Sequence, residues 1–206
     1  MSTSITLEQI LGMEKQPRTN LINSLPGIRQ ANLIGTISET GLTNLAIFNS
    51  VIHIGANPPF MGFIQRPVSV PRGTYQNIKD TGYFTINQVH QGIYKQAHQT
   101  SARYDISEFE ATGLTAHFTN AVKAPYVKES LVKIGLKFVA EYPIELNGTI
   151  LMVGEVQEIL LEDDSISQSQ IVQLDQTKAV GVNGLETYYS VQKIEELPYA
   201  KPDNKQ

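Results

Sequence analysis

No cysteine occurs in the 206 residues. That removes disulfides, thiolate metal centres and cysteine nucleophiles from consideration. Charged residues are scarce at 17%, the net charge is −4, and no Lys/Arg block stands out. The electrostatic footprint of a nucleic-acid-binding protein is therefore missing, and no nucleic-acid partner is expected. No apolar run is long enough to span a bilayer, and Met1–Gln9 has neither the basic start nor the apolar stretch of a signal peptide. These features lead to the expectation of a cytoplasmic protein with no membrane partner. Internal repeats and low-complexity linkers are also lacking. The 41% hydrophobic content suits one globular domain with a real core.

What is present reads mainly as strands. Residues 31–38 carry partial alternation (Leu33, Gly35, Ile37). Glu39-Thr40-Gly41 has hairpin-turn chemistry, and Leu42–Phe48 returns as a second strand. Short strands follow at Val51–Ile54 and Phe60–Gln65, separated by Asn57-Pro58-Pro59. Leu131–Tyr142 is the strongest strand signal, with Val132, Ile134, Leu136 and Phe138 on one face. Asn147-Gly148 predicts a type I′ turn into a returning strand at Thr149–Leu161. Thr187–Ile194 is a last strand or helix.

Helices are expected to be short. One lies near Leu7–Leu11, followed by an irregular lead-in containing Pro17, Pro26 and Gly27. Thr74 is the expected N-cap of another, with Asn77 reaching back and Gly82 closing it. Val89, Ile93 and Ala97 predict a helix within 89–102, and Ser107/Glu110 form a capping-box pair before Gly113. A closed or partly closed antiparallel barrel hides the edges of such a strand set. The chain lacks the regular alternation of a doubly wound sheet.

Two segments concentrate polar groups. Thr43-Asn44-Leu45-Ala46-Ile47-Phe48-Asn49-Ser50 ends where a strand runs out, and its donors suit the polar edge of a flat heterocycle. An ordinary turn with local Asn/Ser hydrogen bonds explains it as well. Arg66-Pro67 and Arg72-Gly73-Thr74-Tyr75-Gln76-Asn77 combine forked cationic donors with a helix start, which describes a phosphate site. A capped helix beside a solvated arginine is the competing explanation. No Walker A loop, G-x-G-x-x-G fingerprint or G-x-S-x-G elbow occurs. The four histidines lack ligand-like spacing, so no metal is expected. His98 alone stands among polar residues that suit a cleft wall.

The ordered series Asn32-Leu33-Ile34-Gly35-Thr36, Gly41, Asn44-Leu45-Ala46, Phe48-Asn49-Ser50, Pro58-Pro59, Arg72-x-Thr74-x-x-Asn77-Ile78 and Thr81–Asn87 resembles the flavin reductase-like, FMN-binding split-barrel family. The likeness runs over roughly residues 30–160. It implies a six-stranded antiparallel Greek-key split β-barrel, mainly β with short helices, that forms a homodimer and binds one FMN per subunit non-covalently near the interface. Carried over by position, Thr43, Asn44, Phe48, Asn49, Ser50 and Val51 would contact the ring and ribityl chain. Arg66, Arg72, Thr74 and Asn77 would hold the phosphate, and His98 would line the catalytic, nicotinamide side. The implied activity is that of an NAD(P)H:flavin oxidoreductase passing electrons to a downstream acceptor, which could be a partner protein. The alternative is a non-catalytic FMN electron carrier or flavin store.

Overall fold

A computed structural model describes residues 2–69 and 72–202. The chain begins with two helices, α1 (Leu7–Gly12) and α2 (Lys15–Ser24). Thr6 and Gln9 form a reciprocal capping box on α1. The lead-in expected to be irregular is thus partly helical. Pro17 is tolerated because it falls in the first turn of α2, where an N–H has no intrahelical acceptor to lose.

Strands β1 (Arg29–Gln30), β2 (Asn32–Ile37), β3 (Thr43–Phe48), β4 (Ile52–Ala56) and β5 (Pro59–Gln65) follow. Helix α3 (Gly73–Thr81) leads into β6 (Tyr83–Gln88), then α4 (Tyr94–Gln99) and α5 (Glu108–Thr112). Two short strands, β7 (Ala116–His117) and β8 (Tyr126–Val127), precede the long hairpin of β9 (Val132–Ile144) and β10 (Thr149–Leu161). A 3-10 turn at Asp163–Ser165 and the hairpin β11 (Val180–Asn183) and β12 (Thr187–Ser190) complete the order.

The main sheet is antiparallel, with seven strands in the order β3-β2-β6-β9-β10-β5-β4. The resemblance implied six strands; here the short β4, folded back on β5, makes the seventh. The sheet does not close through a ladder. It curls until Phe48 of β3 and Phe63 of β5, from opposite ends of the strand order, meet with ring centroids 4.9 Å apart. Phe84 stacks edge-on against Phe63 at 5.6 Å. Ile34, Ile78, Leu136 and Met152 pack the same interior.

The other face of β2 and β3 is also covered. Leu33, Leu45, Val89, Ala97, Phe109 and Val182 form a second cluster there. Burial on both faces explains why β2 shows only partial alternation in the sequence. At Gly35 a Cβ would overlap the Pro125 carbonyl oxygen, so a glycine is needed where the chain crosses the strand.

Several local expectations change. The Asn147-Gly148 turn is not type I′, which needs positive φ at both central residues. Only Gly148 has it, at 71°, in a four-residue loop where Asn147 and Gly148 both donate to the Ile144 carbonyl. The helix expected within 89–102 is confined to Tyr94–Gln99, because Gly92 N–H turns back to His90 Nδ1 at 3.1 Å. Val89, Ile93 and Ala97 are nonetheless all buried, so their spacing reported burial and not helix length. Ser107 caps α5 by accepting from Phe109 N–H, but Glu110 completes no box. Thr187–Ser190 forms a strand. Among the described residues, no helix is long and apolar enough to cross a membrane.

Candidate functional site

The register of β4 on β5 pairs Ile52 with Gly62. Continued toward β3, the same register sets Ser50 against Ile64. There the serine side chain replaces a ladder rung: Ser50 Oγ donates to the Ile64 carbonyl and accepts from Ile64 N–H, both at 3.2 Å. Beyond that point β3 leaves β5 and the sheet splits. The backbone N–H groups of Asn49, Ser50 and Val51 donate to nothing among the described residues. They stand at the head of the split.

The foot of the split is closed by α3. Asn44 of β3 donates to Thr74 Oγ1 at 3.0 Å and to Thr36 Oγ1 at 3.2 Å. Asn77, buried on α3, donates to the same Thr36 oxygen at 3.1 Å. Arg72 Nε donates to the Pro67 carbonyl at 3.4 Å. The contacts therefore run in a circuit: Asn44 along β3 to Ser50, across to Ile64, on through Arg66 and Pro67 to Arg72, then Thr74 and back to Asn44. From Asn44 to Asn49 is five strand residues, about 17 Å.

Two sequence expectations fail here. The N-cap of α3 is Arg72, with an extended backbone and no side-chain cap bond. Thr74 is already helical, and its hydroxyl is turned into the sheet to accept from Asn44. Asn77 does not reach back to the helix start, because its amide is committed to Thr36. Gly82 closes the helix as expected, with φ of 76°. The helix begins two residues earlier than expected, so the N–H groups of Gly73, Thr74 and Tyr75 precede its first internal bond, Gln76 N–H to the Arg72 carbonyl. Arg66 is exposed and Arg72 half-buried, and among the described residues neither pairs with a carboxylate. The foot of the split thus carries uncompensated positive charge beside a positive helix end.

Of the remaining candidates, Thr43 and His98 lie on the opposite face of β3. Thr43 Oγ1 shares a 2.7 Å hydrogen bond with Ser107 Oγ at the start of α5. Asn49 Nδ2 donates to the Gly184 carbonyl, at the tip of the β11–β12 hairpin, at 2.7 Å. His98 Nδ1 lies 2.9 Å from the Tyr188 hydroxyl of β12. Phe48 and Val51 pack against the interior cluster. The structure thus joins Asn44, Ser50, Arg72 and Thr74 in one chain of contacts, with Arg66 on the segment between Ile64 and Arg72. It sets Thr43 and His98 behind the strand, and Asn49 at the corner between the two faces.

The sequence reading missed Thr36, which accepts from both asparagines, and Glu108, whose carboxylate accepts from Leu45 N–H at 3.0 Å and covers the free edge of β3. It also missed Gln65, 3% exposed at the split, whose Oε1 has no partner among the described residues. Thr36 pairs with Asn44 in the β2–β3 register, a signal that becomes readable only once the hairpin is accepted. Among the described residues, no group of three or more His, Asp or Glu side chains could hold a metal.

This arrangement fits a phosphomonoester joined to a flat polar heterocycle. Cationic forks and a helix start lie at one end, unpaired strand N–H groups at the other, and the buried Gln65, whose amide oxygen has no partner among the described residues, lies on β5 between them. A Cβ at Gly73 would come within 2.6 Å of Asn44 Oδ1, so a larger residue there would push the Asn44 amide from its place between Thr36 and Thr74.

Comparison with known proteins identifies the family. Residues 28–178 match the family described as the flavin reductase like domain. A split-barrel protein of Shewanella frigidimarina NCIMB 400, regarded as a flavin reductase, is 46% identical, with a TM-score of 0.93 over 97% of this chain and 100% of that one. Flavoredoxin of Desulfovibrio vulgaris (Miyazaki F) is 19% identical, with a TM-score of 0.76 over 97% and 98% of the two chains. An FMN-binding protein of Thermus thermophilus is 14% identical, with a TM-score of 0.73 over 85% and 93%. The Shewanella likeness gives the split-barrel fold, and the last two are likenesses of fold alone.

Proposed function

The chain belongs to the family of flavin reductase-like domains, and on that premise we propose that it is an oxidoreductase that binds FMN without a covalent link and draws on NADH or NADPH. The observation that carries this reading is the circuit of contacts around the split, with donors for a ring at its head and two unpaired arginines at its foot. When bound, the flavin supplies the hydride-accepting chemistry. The protein's share is binding and electrostatics. Arg66, Arg72 and the α3 N–H groups neutralise the phosphate. Asn44 and Gln65 offer polar contacts along the sugar chain, and Asn77 holds the network in place through Thr36.

The N–H groups of Asn49, Ser50 and Val51 are rigidly placed by the Asn49–Gly184 and Ser50–Ile64 bonds. Preorganised donors of this kind stabilise negative charge that grows on the ring as it is reduced. The family likeness assigns His98 to the nicotinamide; it lies behind β3 and is linked to the head of the split through the β11–β12 hairpin. Exposed apolar residues such as Ile52 and Ile54 on β4, and Tyr142 and Ile144 on β9, suit burial in a homodimer. The electrons pass on to a downstream acceptor.

Anaerobic mixing of the FMN-loaded protein with NADH or NADPH tests the reading. Bleaching of the yellow band much faster than for free FMN is expected. Tight FMN binding with bleaching no faster than in free solution would leave only a flavin carrier or store.

A further inference from the structure

His98 and Tyr188 are 90 residues apart in sequence, yet their side chains meet at 2.9 Å. Their rings pack edge to face, with centroids 5.6 Å apart, and the Tyr94 ring flanks Tyr188 at 5.5 Å. Tyr188 packs against the cluster that covers the back of β3. Its hairpin is fastened at the tip to Asn49 and, through β11, to β1. One element therefore touches both the head of the split and the candidate catalytic histidine. Burial first, and Glu186 second, raise the Tyr188 pKa above its ordinary value, so the phenol keeps its proton at neutral pH.

We infer that Tyr188 is a positioning residue whose hydroxyl donates to His98 Nδ1, keeps the proton of the neutral imidazole on Nε2, and turns that N–H toward the carboxamide oxygen of a nicotinamide. The inference rests on the NAD(P)H-dependent reading given above. Among the described residues, the Tyr188 hydroxyl has no acceptor other than His98, and His98 Nε2 has no partner. A half-buried hydroxyl proton left without an acceptor costs more than an oxygen left with a spare lone pair. A neutral ring that accepts at Nδ1 necessarily carries its proton at Nε2.

The test is a double-mutant cycle on the FMN-loaded protein with Tyr188→Phe and His98→Ala. Tyr188→Phe removes only the hydroxyl. It should lower kcat/KM for the nicotinamide about 5-fold, roughly the value of one hydrogen bond, mainly through KM. The double variant should be no worse than His98→Ala alone, and FMN affinity should stay constant throughout. Independently of activity, nitrogen NMR of His98 should show the Nε2-protonated form in the parent protein and a mixture of tautomers in Tyr188→Phe. Additive kinetic losses, or identical His98 signals in the two proteins, overturn the inference. If the parent protein oxidises neither NADH nor NADPH faster than free FMN does, the reductase reading and the nicotinamide contact fall together. The NMR comparison then still decides whether Tyr188 positions His98.

Discussion

Replacing Arg72 with alanine isolates the anion-binding half of the site. Among the described residues, the Arg72 side chain makes one long hydrogen bond, from Nε to Pro67 at 3.4 Å, and contributes no cap bond to α3. Its terminal nitrogens are thus available to a phosphate as a two-pronged donor. A hydrogen bond between charged groups contributes about 1.5–3 kcal/mol. Half-burial places Arg72 between a surface pair and a desolvated one, so about 2 kcal/mol is expected, or roughly a 30-fold rise in the Kd for FMN. Riboflavin has the same ring and sugar chain but no phosphate, and its Kd should move less than about 2-fold. Fluorescence titration of both ligands against both proteins measures the difference. Folding stability should change by less than about 0.5 kcal/mol, because no internal contact of weight is lost. Equal losses for FMN and riboflavin would refute the placement of the phosphate at α3.

Asn44→Ala should cost about 1–3 kcal/mol in urea unfolding, since it strips a donor from Thr74 and from Thr36, which keeps only Asn77. Phe63→Ala should cost about 3–5 kcal/mol, because this fully buried ring joins the two ends of the curled sheet. Gly35→Ala should be poorly folded, as judged by circular dichroism, because the added carbon would overlap the Pro125 carbonyl. The Tyr126 phenol is pushed above its ordinary pKa by burial and then by its hydrogen bond to Glu158. The folded state therefore holds that proton more tightly than the unfolded chain does. The stability this contributes is fully present below the ordinary tyrosine pKa of about 10 and is lost as pH rises above it. Unfolding midpoints measured upward from about pH 9 should fall more steeply for the parent protein than for Tyr126→Phe.

Strand positions were legible because hairpins are local. Thr149–Leu161 forms the strand read from the sequence, and residues 31–48 fold as the expected strand–turn–strand with Gly41 in the turn. The likeness to the flavin reductase-like family was also carried by sequence order alone, since the motif series is a property of the chain. Helix starts were less legible. A threonine before a helical pattern reads as a cap, but whether its hydroxyl turns to its own backbone or to Asn44 depends on a strand 30 residues away. Apolar spacing marked Val89, Ile93 and Ala97 as buried without revealing that a histidine–glycine turn shortens the helix.

Residue types and their order therefore determined the barrel, the pairing of its consecutive strands and the two polar clusters. Tertiary structure alone decided which members of those clusters are joined by contacts. β3 exposes alternate residues to opposite faces, which sends Asn44 toward α3 and Thr43 toward α5, and no local pattern says which face a ligand will meet. Nor could the sequence announce Gly184 and Tyr188 as partners of Asn49 and His98. Those contacts exist only because the C-terminal hairpin folds back over a strand laid down well over a hundred residues earlier, through packing between elements that share no local signal.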